Sequence, residues 1–494
     1  MIGVNVGGAN IIAAVVSDEI KVFRKPAEMG ISSVVNEIAN FIERERVVVS
    51  TSLPLNVLIS KFESMKTLTL LIPGPGLNYS RYGVILKGYV NHRGDVVEKI
   101  DEAEVKRVLE NSAFQNVAIA SKFSVRNPVL EEEVKKIVKE KVDEKRIALS
   151  YFVGGLNYAA RINTTVINAK IKETVWNLNK ELKNCIKEFY YLRGDGSIST
   201  PESVVENPAQ LYNSNALASV FGAIFLTKEK DGVVVNIGGL STNLIPIEDG
   251  KPKIVDGIEV MGRKTLIRCV DSIAIPFGGN SLIENDRLEP ESCKPIAFGG
   301  EHFTLTDAIN CLGHEIGNWK TSREIGAKID FDVAVEQFIS VVADNLRQIE
   351  AKKIIGAGFL APYLVPEIAK RAKTSFIIPK YCEAIRAIGS AVARVSLVMH
   401  ARFDTEKGIA IYNGAFEKCP FRIGSIPTED EIIDTARKKI VEIAKKFGAD
   451  EEIGEVKVLD FSSFTVVKGN MKRGMIADIT LQIEPGIRWK QTNF

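Results

Sequence analysis

Two nearly identical pentapeptides stand in the two halves of the chain, Val4-Asn5-Val6-Gly7-Gly8 and Val235-Asn236-Ile237-Gly238-Gly239. In both places β-prone residues run into a glycine pair and resume beyond it, at Ile11 to Val16 and at Leu244 to Ile247. Branched apolar residues on either side of a glycine break read as strand, tight turn, strand. A chain that repeats this grammar in each half is expected to fold as two related α/β lobes. Its length of 494 residues, too long for one compact core, agrees with two or three domains.

Such a turn can bind as well as reverse the chain. Successive backbone N–H groups point to one place, and glycine leaves no Cβ in the path of an anion. Asn10, Ser241, Thr242 and Asn243 adjoin the glycines and add hydroxyl and amide groups. A single Gly-Gly turn is ordinarily a plain hairpin. Two matched copies, with a third glycine element at Gly356-Ala357-Gly358 after the apolar run Lys353-Ile354-Ile355, point to a polyphosphate held between lobes. The candidate cradle is therefore Gly7, Gly8, Ala9 and Asn10, then Gly238, Gly239, Ser241, Thr242 and Asn243, then Gly356, Ala357 and Gly358.

Composition narrows the ligand. The formal net charge is only +2, with 26% charged residues, so there is no field to suggest nucleic acid or an anionic membrane, and a small molecule is the expected partner. Six cysteines are scattered without a CxxC or Cys/His cluster, which signals neither zinc nor a disulfide framework and reads as buried thiols in a reducing, cytoplasmic setting. The uncharged opening Met1 to Val16 resembles a secretory core, but it lacks a basic flank and contains Asn5 and Asn10. No other uncharged run approaches membrane-spanning length.

Between the two turns the pattern alternates. Leu68 to Ile72, Val117 to Ala120 and Arg146 to Val153 read as short buried strands, and helices are expected over Leu130 to Val138 and Thr164 to Phe189. A polar stretch from Arg193 to Pro208 suggests a boundary. The tail reads as a small α/β addition, with Thr428 and Glu431 as a capping box, Gly448 as the helix stop, and strands at Val456 to Phe461 and Ile476 to Ile483.

The paired turns resemble those of the actin, sugar kinase and Hsp70 superfamily, in which two ribonuclease H-like lobes enclose a nucleotide cleft. Further segments narrow the likeness. Lys87 to Glu98, with Asn91-His92-Arg93-Gly94-Asp95 at its centre, and Phe123 to Pro128 are similar to the N-terminal region of the hydantoinase A and 5-oxoprolinase family. Arg161 to Ala169, Arg193 to Ser197, Ser214 to Ala223, Thr304 to Ala308 and Ala387 to Ala391 follow in that family's order. On this likeness, residues 1–190 form the N-terminal region with the first phosphate hairpin. Residues 191–400 form a hydantoinase A-like region with the second hairpin and an adenosine-contacting glycine turn. Residues 401–494, which the likeness does not reach, are expected to form a small C-terminal α/β domain.

The resemblance implies ATP and Mg²⁺ as cofactors and ATP-dependent opening of a cyclic amide, a hydantoin or 5-oxoproline, through phosphorylation of the amide oxygen. It also implies two alternatives: an ATP-using subunit of a ketone carboxylase, or a nucleotide-binding subunit with little catalysis. A second, hydantoinase B-like subunit and further copies of the chain are the partners it suggests. The catalytic candidates are Asn5, Asn236, His92 and Asp307. His92 reads equally as a hydrogen-bonded turn residue, and Asp307 as a helix cap.

One departure stands out. Asn5, Asn236 and Asn243 occupy positions where the family carries aspartate. Asparagine keeps an acceptor oxygen but loses charge and basicity. Phosphate binding is therefore expected to survive, while phosphoryl transfer is slow or draws on a carboxylate elsewhere, such as Asp18 or Asp307. No metal ligands are assigned. No Gly-x-Ser-x-Gly elbow supports a serine hydrolase.

Overall fold

The computed structural model describes residues 1–42, 45–449 and 453–488. Ile2–Val6 and Asn10–Val16 pair antiparallel through the first glycine turn, and Ile20–Pro26 extends the sheet on one side. Val47–Thr51 lies parallel to Ile2–Val6 on the other side, followed by Phe189–Leu192. The second half repeats this order. Gly232–Ile237 and Thr242–Glu248 form the hairpin, Ile273–Ile275 adds to its outer strand, and Lys353–Ala357 and Ser375–Ile377 continue in parallel. The chain thus folds as two ribonuclease H-like lobes of the actin type. The central strands Ile2–Val6 and Val47–Thr51 are buried along their whole length, as expected where helices cover both faces of a sheet.

The lobes meet through two helices, Ser214–Thr227 and Ile385–Val392. Glycines let them touch at backbone distance. A Cβ at Gly389 would lie 1.8 Å from the Ala218 carbonyl oxygen, and one at Gly222 would lie 2.1 Å from that of Ile385. Gly3 does the same for the first strand, where a Cβ would stand 2.0 Å from the Ala387 oxygen. The segments Ser214 to Ala223 and Ala387 to Ala391 are therefore constrained by packing.

A four-stranded parallel sheet (Ile147–Leu149, Asn116–Ser121, Thr67–Ile72, Val84–Ile85) is inserted after Val47–Thr51. The buried helix Tyr158–Cys185 then leads back to the first lobe. Its polar residues are ties. Arg161 donates to the Ser121 and Gly155 carbonyls, Asn163 to that of Lys264, and Asn168 to the Asn207 side chain. The C-terminal residues make a five-stranded sheet, in the order Ala415–Lys418, Ile409–Tyr412, Val398–Asp404, Met471–Ile483, Val456–Lys468, with the helix Glu429–Lys446 against it.

Several expectations need correction. Phe189–Leu192 pairs with Val47–Thr51, so a boundary between 190 and 191 cuts a strand of the first sheet, and Val398–Asp404 likewise straddles residue 400. The polar stretch after Arg193 contains a helix, Pro201–Glu206, capped by Thr200 with proline at its first position. The strand expected over Arg146 to Val153 shrinks to Ile147–Leu149 before a tight helical turn. All six cysteines are free, and three of them are only partly buried. Among the described residues no helix is long and apolar enough to cross a membrane.

Candidate active site at the paired hairpins

The two glycine turns have the same geometry. Gly7 N–H donates to the Asn10 carbonyl and Gly238 N–H to that of Ser241, each over 3.0 Å, which closes a turn with two central residues. None of these four glycines has a positive φ, so close approach selects them here. The amides of Gly8 and Ala9, and of Gly239 and Leu240, donate to no described residue and remain available to an anion.

Around this shared backbone the side chains divide. Asn10 accepts from Arg24 Nε at 3.1 Å, and Thr242 donates to the Phe277 carbonyl at 2.9 Å, so both are engaged in the fold. Ser241 and Asn243 make no side-chain hydrogen bond with a described residue, and Asn243 lies opposite Asn236 on the neighbouring strand. In the third element only Gly358 turns the chain. Gly356 and Ala357 belong to the strand, whereas Gly358 has φ +93° and lies so near the second hairpin that a Cβ would stand 2.2 Å from the Ile237 carbonyl oxygen.

The predicted catalytic pair is brought together by the helix Ile385–Val392. Asn5, 3% exposed, donates from Nδ2 to Ser50 Oγ at 3.0 Å, and Ser50 Oγ accepts from Ser390 at 2.8 Å. One turn earlier on the same helix, Arg386 Nη2 donates to Asn236 Oδ1 at 2.8 Å, while Asn236 Nδ2 donates to Ser219 Oγ at 3.0 Å. A hydrogen-bonded line thus runs from one hairpin to the other. Burial lowers the Arg386 guanidinium to about 10, which leaves it charged at neutral pH.

The other catalytic candidates lie apart from this line. Asp307 is wholly buried and accepts from the Ile296, Ala297 and Thr304 amides and from the Thr304 and Ser322 hydroxyls, so it acts as a cap inside the second lobe. Its neighbour Thr306 holds the Gly279 carbonyl from both its amide and its hydroxyl. His92 is exposed on a turn whose Arg93 and Asp95 pair with Glu406 and Lys407 of the C-terminal sheet, and its carbonyl accepts from Arg126. Asp18 is exposed beyond Val16, at the end of its strand remote from the glycine turn.

Sequence reasoning missed two parts of the site. Arg386 is one; an arginine near the start of a short apolar helix gave no local signal. The other is Gly278-Gly279-Asn280, which roofs the second hairpin. Gly279 and Asn280 N–H groups donate to the Gly238 and Gly239 carbonyls at 2.9 Å, and a Cβ at Gly278 would stand 2.4 Å from the Gly239 oxygen. A further Gly-Gly pair between β-prone runs was the available cue.

The residues present fit a polyphosphate through the free turn amides. They do not fit a protein-held divalent cation: Asn5, Asn236 and Asn243 are neutral, and a guanidinium stands beside Asn236. Among the described residues no group of three or more His, Cys, Asp or Glu side chains is placed to hold a metal ion.

Duplicated hairpins and crossing glycine-lined helices define a two-lobed protein of the actin-type fold. Comparison with known proteins narrows this. The hydantoinase/oxoprolinase family model matches residues 161–352 and the model of its N-terminal region matches residues 75–142, and together they cover more than half of the chain. The chain belongs to the hydantoinase/oxoprolinase family.

An uncharacterized protein of Methanocaldococcus jannaschii is 24% identical over 260 residues, covering 45% of this chain and 38% of that protein. The acetophenone carboxylase gamma subunit of Aromatoleum aromaticum is 21% identical over 257 residues, 46% of this chain and 35% of that subunit. The match thus spans under two-fifths of either relative's length. In fold, the chain is similar over 100% of its length to nucleotide-free acetone carboxylase (TM-score 0.74, 14% identity, 88% of that chain). The ATP-dependent caprolactamase from Pseudomonas jessenii gives a TM-score of 0.62 at 15% identity, with 100% of this chain and 88% of that chain covered.

Proposed function

We propose that this chain binds ATP with its phosphates on the paired hairpin turns and couples it to activation of a carbonyl substrate, a cyclic amide of the hydantoin or 5-oxoproline type. The observation that carries this reading is the matched pair of turns with free amides, joined by one helix that hydrogen-bonds to the buried asparagine line of each lobe. In this reading the turn amides bind and orient the phosphates, and phosphorylation of the amide oxygen makes the ring carbon open to water. His92, Asp307 and the third turn are retained only as positions to test.

A second reading, an ATP-using subunit of a ketone carboxylase, is favoured by the likeness to the acetophenone carboxylase gamma subunit. It also suits a site that lacks its own carboxylates. Both readings allow a second, non-homologous subunit and a cytoplasmic setting, and co-purification from the native source tests the partner.

Steady-state ATPase with hydantoin, with 5-oxoproline, and with bicarbonate plus a ketone separates the readings. Stimulation by a cyclic amide supports the first, and stimulation by bicarbonate plus ketone supports the second. ATP binding without turnover under every condition would replace both with a nucleotide-binding subunit.

A further inference from the structure

Asn5, Asn236 and Asn243 are neutral, and Arg386 places positive charge beside one of them. The guanidinium lies at the second turn itself: besides the bond to Asn236, its Nη2 would be 3.4 Å from a Cβ at Gly238. Among the described residues no carboxylate forms an ion pair with Arg386, and desolvation is the sole cause of its pKa shift. A cation that has lost part of its hydration and has no counter-charge gains from a bound anion. Its fork has five N–H donors, of which Asn236 takes one, and the side chain is only partly buried, so donors remain within reach of a ligand. Acceptance by Asn236 fixes the orientation of the fork without neutralising it. Aspartate at that position would neutralise it.

We propose that Arg386 receives the phosphate oxygens of the nucleotide at the second hairpin as a built-in cation, so that polyphosphate binding by this chain does not depend on an added divalent metal. The proposal rests on the ATP reading above and goes beyond it, assigning the charge that balances the phosphates to this chain itself. The three neutral residues and the arginine then form one matched set: where a metal would need carboxylates to hold it, a resident guanidinium needs neutral acceptors.

Calorimetric titration of the full chain with ATP, and separately with inorganic tripolyphosphate, in magnesium and in EDTA tests this. For the wild-type chain the dissociation constants in the two buffers are expected to agree within about threefold. Arg386→Gln is expected to weaken binding in EDTA by about ten- to a hundredfold, the scale of a lost hydrogen bond to a charged group, and Arg386→Lys to recover part of that loss. A combined Asn5→Asp, Asn236→Asp, Arg386→Asn variant should bind only with magnesium. Absence of ATP binding in either buffer would remove the underlying reading. Wild-type binding seen only with magnesium leaves that reading standing and overturns this proposal, as does a folded Arg386→Gln variant that binds as tightly as wild type in EDTA. Should that variant fail to fold, the wild-type comparison between buffers decides alone.

Discussion

The first and second hairpins share one backbone and differ in nearly everything attached to it. Both close with a 3.0 Å bond across a glycine-led turn and leave two amides free. Around the first, the buried asparagine has neutral contacts, Asn5 with the Ser50 hydroxyl and Ser50 with Ser390, and a guanidinium, that of Arg24, reaches the turn only at Asn10. Around the second, Asn236 meets a guanidinium, and a glycine-rich segment covers the turn. The shape of a phosphate site is thus duplicated between the lobes, while the guanidinium on the buried strand asparagine and the cover come from one side. Duplication conserves what the backbone makes, and the surrounding side chains decide what each copy does.

The same substitution at the two asparagines should break this symmetry most visibly. Asn5→Asp puts a carboxylate against the Ser50 hydroxyl, and the Ser50 carbonyl lies 3.5 Å from the asparagine nitrogen it replaces. With no cation bonded there, the change is expected to cost about 3 kcal/mol at neutral pH. Asn236→Asp sets the carboxylate beside Arg386 and should cost less than about 1 kcal/mol. The pH slopes follow with opposite sign. The first carboxyl would be held above its unfolded value, so the deficit is full above that raised value and shrinks as pH falls from it towards the ordinary carboxylate range. The second would be held below it, so its stabilisation is present above the ordinary carboxylate range and is lost as pH falls below that range towards the depressed value. Urea unfolding midpoints from about pH 2 to about pH 8 read both, and equal costs with parallel slopes would show the two environments to be alike after all.

Cover is the next difference to remove. Gly278→Ala would place a methyl 2.4 Å from the Gly239 carbonyl and 2.6 Å from that of Gly238, and backbone on both sides must shift to admit it. A loss of about 2 kcal/mol is expected, together with weaker nucleotide binding. Gly8→Ala in the uncovered hairpin meets only the Asn56 side chain, at 3.0 Å, and should be nearly neutral for stability. Thermal unfolding and ATP titration of the two variants compare roof with no roof. A neutral Gly278→Ala would mean that the roof is not held by the bonds from Gly279 and Asn280.

What the sequence made legible follows the same division. The hairpins, the strand after each and the capped C-terminal helix were readable because local chemistry dictates them: branched residues, paired glycines, Thr428 with Glu431. The hairpin glycines pointed to free amides, but whether Asn10 and Thr242 face a ligand depended on partners far along the chain, Arg24 and Phe277, and could not be read. Asp307 was read with two meanings, and its five hydrogen bonds favour the cap. Arg386 was invisible because its meaning comes from Asn236, a contact made only when the two lobes close on a shared helix. The helix Tyr158–Cys185 was legible by period but not in its purpose, since the polar residues of Arg161 to Ala169 are ties to segments remote in sequence.

The smallest effect tests how far the first hairpin leans on the second lobe. Arg24, on the strand outside the first hairpin, donates to Asn10 and lies over the Phe359 ring with 4.9 Å to its centroid, directly after the Gly358 turn. Burial lowers its pKa and Glu383 opposes that shift, so the side chain links one lobe's turn to the other's third glycine element. Arg24→Met keeps the apolar stem and removes the charge, the bond to Asn10 and the cation–π contact. A cost of about 0.5–1 kcal/mol is expected, the range of a partly solvated contact of this kind. Nucleotide affinity should fall less than for the Arg386 variants, because Asn10 is freed while the turn amides stay in place. If urea unfolding instead showed a loss of several kcal/mol, the first hairpin would owe its form to the bridge from Phe359, and the likeness of the two turns would be imposed by their meeting across the cleft.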